Sequence, residues 1–97
     1  MPDNYFIREN SSLAFLAGKV LRVKSAAVVL RKTIYLYGVS KESFLADNRW
    51  QKHELCHVKQ FQQYGFLRFL FIYIMETARK GYYNNRFEVE AREVAGD

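Results

Sequence analysis

Two histidines and a glutamate in the middle of the chain have the spacing of metal ligands and a general base. The segment His53-Glu54-Leu55-Cys56-His57 follows the pattern H-E-x-x-H and contains the only two histidines of the sequence. Histidines four residues apart lie on one face of a helix, where their ring nitrogens can bind one zinc ion. The pattern predicts a zinc site at His53 and His57, with Glu54 taking a proton from a water molecule that the metal activates.

A catalytic zinc ion usually has three protein ligands, so the sequence must supply one more. Cys56 lies about 100° around the helix from His57 and is predicted to be a small buried filler. Because no histidine is left, the third ligand is expected to be a downstream carboxylate. The candidates are Glu76, Glu88 and Glu90, since a turn between helices could bring any of them to the histidines.

The motif is predicted to lie on a helix with defined ends. Asp47 or Asn48 can cap the start of this helix, and Gly65 is suited to the position just after its end. Gln60 follows one turn after His57, so its side chain is expected to face the site or a neighbouring backbone group.

Periodicity and turn residues predict the elements around the motif helix. We expect a first helix over about 12–22, a β-hairpin at 26–30 and 33–37, a connection at 39–46, a central buried helix at 66–80 and a last helix at about 86–95. Asn84 or Asn85 would cap the last helix. The predicted fold class is α+β, with a small hairpin or sheet packed on the motif helix and two further C-terminal helices.

The composition favours one small domain with a mildly basic surface. The 97 residues, of which 49% are hydrophobic, leave room for a single core, so residues 1–97 are predicted to form one domain. The net charge of +5 is spread along the chain, which favours a solvated surface over a nucleic-acid site. The longest apolar run, 69–75, is too short for a membrane span. The single cysteine fits a reducing compartment, and a cytoplasmic location is expected.

The order of these features resembles that of the gluzincin metallopeptidases, in which H-E-x-x-H is followed by a glutamate on a later helix. The run Phe87-Glu88-Val89-Glu90-Ala91 is similar to the E-x-x-A-D segment of the prenyl-protease gluzincins, in which the first glutamate binds zinc. This resemblance makes Glu88 the third ligand and matches Ala91 to the alanine. Arg92 stands where that family has aspartate, so the hydrogen bond of the aspartate is unaccounted for. In size and element order the chain resembles the minigluzincins, which are stand-alone gluzincin cores.

The resemblance implies a zincin-like hydrolase, a zinc-dependent protease that acts on an extended peptide or protein substrate. A terminal segment or dimerisation could cover the cleft of such a protein, so a latent state and a homodimer are both compatible with it. Glu54 would pass the proton of the water to the leaving amine. The developing oxyanion would need an electrophile, and Tyr73, Tyr82, Tyr83 or an arginine could supply it. A free edge of the predicted sheet could pair with the peptide.

Two other functions are compatible with the sequence. A non-catalytic, zinc-stabilised interaction module would keep the same core, with its cleft occupied by a terminus or by another subunit. The small size of the chain favours this alternative over a peptidase with two subdomains. Nucleic-acid binding would use Arg22, Lys24, Arg31 and Lys32, but no nucleic-acid partner is predicted because the basic residues do not form one cluster.

Overall fold

The computed structural model describes residues 5–96, and the fold within this range is α+β. The α+β class agrees with the sequence prediction, and the described residues form five helices and a mixed sheet of three strands. In chain order the elements are β1 (Phe6–Arg8), α1 (Ser12–Leu21), β2 (Ala26–Leu30), β3 (Thr33–Tyr37), α2 (Lys41–Ala46), α3 (Asn48–Tyr64), α4 (Phe66–Lys80) and α5 (Arg86–Ala95).

The sheet has the strand order β1-β3-β2. Strands β2 and β3 form the predicted antiparallel hairpin, with Leu30 opposite Thr33 and a loop of two residues, Arg31 and Lys32. Arg31 has a φ of 58°, a positive value of the kind that the favoured type I′ and II′ hairpin turns have at their first central position. Strand β1 pairs parallel to β3 and is missing from the sequence prediction, because three residues are too few to show an alternating pattern.

One face of the sheet packs against α3 through buried apolar side chains. These are Val29, Ile34 and Leu36 from the sheet and Leu55 and Val58 from α3. Burial of the apolar surface between them is the main contribution to the core, because the hydrophobic effect scales with the area removed from water. The sheet and the motif helix therefore form one packed unit, as predicted.

Helix α1 approaches the sheet closely on its other face. Gly18, which interrupts the apolar pattern of α1, is buried at this contact. A Cβ atom at Gly18 would lie 3.2 Å from the carbonyl oxygen of Val23 and 3.4 Å from the Cβ atom of Ala26. The absence of a side chain at this position therefore allows α1 to lie against β2.

Helix α3 begins and ends where the sequence predicts. The Asp47 carboxylate accepts a hydrogen bond of 3.0 Å from the backbone N–H three residues later. Gly65 follows the last residue of α3 with a φ of 82°, which L-residues rarely adopt, so the chain can turn directly into α4.

The sequence predicts only a connection at 39–46, but the structure has a short helix there, α2. It is capped by the Ser40 hydroxyl, and its six residues are too few to show helical periodicity.

Helix α4 is not the central buried helix that its composition predicts. Phe69 is its only buried residue, and its ring centre lies 4.3 Å from that of Phe61 and 4.6 Å from that of Phe87. The opposite side is open, and Leu67 and Phe71 are 78% and 66% exposed. An apolar pattern shows that a helix surface is suited to burial, but other parts of the chain must supply the residues that cover it.

None of the described helices has both the length and the apolar content of a membrane span.

Candidate metal centre

Three side chains that could bind a metal converge between α3 and α5. The ligand atoms of His53, His57 and Glu88 all lie within 4.8 Å of one another. The Oε1 atom of Glu88 is 3.0 Å from Nε2 of His53 and 3.2 Å from Nε2 of His57. Both distances are close to the roughly 3.3 Å that separates two ligand atoms of one tetrahedral metal ion, so Glu88 could share a metal ion with either histidine.

Asn85 fixes the start of α5 and hence the position of Glu88. It is fully buried, and its Oδ1 atom accepts a hydrogen bond of 2.8 Å from the first turn of α5. Its Nδ2 atom donates to the carbonyl oxygen of Tyr73 at 3.1 Å and to Oγ1 of Thr77 at 2.9 Å, both in α4. One side chain therefore joins the two C-terminal helices three residues before Glu88. The cap is Asn85 and not Asn84, a choice that the sequence left open.

The two rival carboxylates have other partners. Glu76 accepts a hydrogen bond of 3.0 Å from the backbone N–H of Arg86, and this contact lowers the pKa of Glu76. Glu90 is exposed, and its Oε1 atom accepts a hydrogen bond of 2.6 Å from Gln60. Of the three candidates, Glu88 is the one that lies against both histidines.

Gln60 links His57 to α5 and determines which ring nitrogen carries the proton. Its Nε2 atom donates to Oε1 of Glu90 at 2.6 Å and to the carbonyl oxygen of Phe87 at 3.2 Å. Because both partners are acceptors, the amide oxygen must face His57, where it accepts from Nδ1 at 2.8 Å. The Nε2 atom of a neutral His57 therefore keeps its lone pair, directed at Glu88, and is free to bind a metal.

The three tyrosines that could supply the electrophile have different contacts in the structure. The Tyr73 hydroxyl donates a hydrogen bond of 2.5 Å to Oε2 of Glu88, so it orients this carboxylate. Tyr82 lines the cavity beside Glu88. Tyr83 is mostly exposed and lies under Arg92, which is 3.8 Å from the ring centre and donates to the Tyr83 carbonyl oxygen. Arg92, the departure from the E-x-x-A-D pattern, thus pairs with Tyr83.

Burial and close charges determine the protonation of the metal-free centre. Burial alone would lower the pKa of His57, but its contacts with Glu88, Glu54 and Gln60 raise this pKa to about 9. For Glu88, burial acts to raise the pKa, and the hydrogen bonds from His53 and His57 outweigh it and hold the pKa well below its usual range. Without metal, Glu88 is therefore the ionised partner of a protonated His57. A metal ion would take the place of the proton between them.

Glu54 lies beside the ligand candidates, on the wall of a cavity of 420 Å³ that we term the cleft. Burial raises the pKa of Glu54, although the nearby His57 and His53 act against this shift. His57 and Glu88 line the same cleft, and the other walls are mainly apolar residues of α1, β2 and α4. A carboxylate with increased proton affinity at the edge of an apolar cleft is suited to general base catalysis.

Cys56 lies outside the cluster. Its thiol is buried, and this burial, followed by the charge of Glu90, raises its pKa to about 11. The thiol is therefore neutral, and its contact is a weak hydrogen bond of 3.6 Å from Nε2 of Gln60. Such a group behaves as the small buried filler that the sequence predicts.

No family model, curated protein or solved structure matches the chain.

Proposed function

We propose that this chain is a small zinc peptidase of the gluzincin type, with a zincin-like fold. In this proposal His53, His57 and Glu88 bind zinc, and Glu54 is the general base in peptide-bond hydrolysis. The observation that carries the proposal is the approach of two histidine Nε2 atoms to one oxygen of Glu88, at 3.0 and 3.2 Å, beside the buried carboxyl group of Glu54.

The chemistry of the donor set favours zinc. Two imidazoles and one carboxylate are a common ligand set of catalytic zinc sites. When bound, zinc supplies Lewis acidity that polarises a carbonyl group and lowers the pKa of water. Gln60 holds His57 through Nδ1, and Tyr73 holds Glu88 through Oε2, so two of the ligands are oriented by a further hydrogen bond.

Glu54 and Tyr82 supply the remaining parts of the proposed reaction. Glu54 takes a proton from the attacking water and gives it to the leaving amine, and its raised pKa favours the first step. Burial and the negative charge of Glu88 raise the pKa of Tyr82, so its hydroxyl group stays protonated. A hydroxyl donor on the cleft wall can stabilise the negative charge that develops on the substrate carbonyl oxygen.

The cleft walls favour an extended substrate with apolar side chains. Strand β2 pairs with β3 on one edge, and within residues 5–96 no strand lies against its other edge. Residues 27–30 of β2 line the cleft, so an extended peptide could pair with this edge through backbone hydrogen bonds. Leu13, Leu16 and Leu70 would then contact the side chains of the peptide.

Glu54→Gln tests the catalytic part of the proposal. The amide cannot accept the proton, and Glu54 is not a proposed ligand. We therefore expect unchanged zinc content and a loss of at least about 100-fold in the cleavage of unfolded casein or of a quenched fluorescent peptide library. Glu42→Gln changes an exposed glutamate of α2 in the same way, and this control should cleave at the wild-type rate.

The same experiment distinguishes the peptidase from the interaction module. A wild-type chain that holds zinc but cleaves none of these substrates would favour the non-catalytic, zinc-stabilised module. A wild-type chain that binds no zinc would contradict both functions.

A further inference from the structure

Exposed apolar side chains lie on α1 and α4, two helices that line the cleft. Five residues on two helices are between 61% and 78% exposed and are termed here the apolar face: Leu16 and Val20 on α1, and Leu67, Phe71 and Ile74 on α4. The two α1 residues line the cleft from one side, and Leu70 lines it from α4. Both helices that carry the face therefore also form walls of the cleft.

The α4 part of the face is a continuous stripe. Leu67, Phe71 and Ile74 are spaced by four and three residues, which places them on one side of a helix. The core contact of α4 is made by other residues, Phe69 and Tyr73, whose rings pack with Phe87. An exposed stripe of large apolar residues next to an apolar cleft is typical of a surface that binds a partner.

On α1 and α4 and in the turn after α1, the charged residues are mostly basic. Lys19, Arg22 and Lys24 are exposed and lie in α1 or just after it. Arg68 adjoins Leu67 at the start of α4, and Arg79 and Lys80 end this helix.

The acidic groups of the described residues lie elsewhere or are paired. Glu76 is the single acidic residue of α4, and it contacts Lys80 at 3.4 Å and accepts the backbone hydrogen bond from Arg86. Other exposed acids lie on α2 and α5, for example Glu42 and Glu93. The apolar face therefore combines large hydrophobic side chains with unopposed positive charge.

We propose that the apolar face binds the surface of an anionic lipid bilayer. The apolar side chains would enter the headgroup region, and the lysines and arginines around them would contact anionic headgroups. Pairing of two copies through this face is disfavoured because it would bring like charges together.

This inference goes beyond the proposed peptidase and does not depend on it, because neither zinc nor Glu54 takes part in the lipid contact. Binding by this face would place two of the helices that line the cleft against the bilayer. The anionic bilayer is chosen over an uncharged one because the basic residues contribute only where the lipid carries negative charge.

Flotation with lipid vesicles tests the apolar part of the face. We expect the chain to float with vesicles of phosphatidylcholine containing about one third phosphatidylserine, much less with phosphatidylcholine alone, and less as salt is added. The double substitution Phe71→Ser with Ile74→Ser should weaken binding at least about tenfold. Val94→Ser, which alters an exposed apolar residue of α5, is the control and should bind like the wild type.

A pair of charge reversals tests the basic part of the face. Arg22→Glu with Lys24→Glu should weaken binding about tenfold or more, whereas Lys52→Glu with Lys59→Glu makes the same change in net charge on α3 and should have a smaller effect. Circular dichroism would verify that each variant is folded. Equal losses from both pairs, or no binding to the anionic vesicles, would overturn the proposal. So would a wild-type dimer that Phe71→Ser converts to a monomer, because it would assign the face to a second copy of the chain.

Discussion

At the scale of single residues, the centre depends on the side chains that orient the ligands. Gln60 is buried on α3, and its two amide atoms bond in opposite directions, to Nδ1 of His57 and to α5. Tyr73 bonds to the Glu88 oxygen that does not face the histidines. Each ligand so held has lost part of its rotational freedom before a metal binds, which reduces the entropic cost of binding.

Gln60→Leu should weaken zinc binding by about 10- to 100-fold, because the substitution keeps the size of the side chain but removes the acceptor for Nδ1 of His57. Competition with a chromophoric chelator measures the zinc affinity. Gln63→Leu changes an exposed glutamine of the same helix and serves as the control. Equal affinities for all three proteins would show that His57 does not need the amide.

The sequence predicts residues of the centre only where one element holds them together. His53, Glu54 and His57 follow from spacing within one helix. Glu88 could not be separated from Glu76 and Glu90 by spacing, because its position depends on the turn between α4 and α5, and it was selected by resemblance alone. Tyr73 could not be separated from Tyr82 and Tyr83, since Tyr73 lies on α4 and the other two lie in the turn after it, and only the packing of α4 against α5 brings the Tyr73 hydroxyl to Glu88.

At the scale of elements, the centre requires α5 to stay docked on α4 and α3. Asn85 is completely buried and joins α5 to α4 through three hydrogen bonds. The loss of a helix cap and of buried hydrogen bonds is among the larger effects that one polar substitution can have.

Asn85→Ala should lower the free energy of unfolding by about 2–4 kcal/mol, from the lost cap and the buried partners that are left unpaired. Urea denaturation measures this change. Asn84→Ala replaces an exposed neighbour of the same type and should cost less than about 0.5 kcal/mol. Equal costs for the two substitutions would contradict the connecting role of Asn85.

The elements themselves were predicted well where they are long and periodic. Helix α3 and the hairpin follow from caps and alternation, whereas β1 and α2 are too short to show either pattern. The prediction that α4 is buried is wrong for a different reason. The sequence identifies an apolar helix, but whether an outer layer covers it depends on the rest of the chain, and Leu67 and Phe71 remain exposed.

At the scale of the whole molecule, the buried charges of the centre make stability depend on pH. The pKa of His57 is raised from 6.5 to about 9. The stability that protonated His57 contributes to the folded state is therefore fully present below pH 6.5 and is lost as the pH rises to about 9. Glu54 acts in the same direction, because its pKa is raised from 4.5. Glu88 acts oppositely, since its lowered pKa contributes stability above pH 4.5 that is lost on acidification.

The metal-free chain should therefore be most stable between pH 4.5 and 6.5, and its free energy of unfolding should fall toward pH 9. Urea denaturation with a chelator present measures this trend. Excess zinc should reverse it, because the metal binds deprotonated His57 and its affinity rises with pH. Metal-free stability that rises between pH 6.5 and pH 9 would contradict the protonated His57–Glu88 pair.

Calorimetric titration of the wild type and of two α5 substitutions with zinc tests whether Glu88 and the two histidines bind a metal ion. Glu88→Ala removes a proposed ligand, and Glu93→Ala removes an exposed carboxylate from the same helix. We expect one zinc ion per chain for the wild type and for Glu93→Ala, with binding at least about 100-fold weaker for Glu88→Ala. A wild-type chain that takes up no zinc, or a Glu88→Ala chain that binds it as tightly as the wild type, would contradict the proposed metal centre.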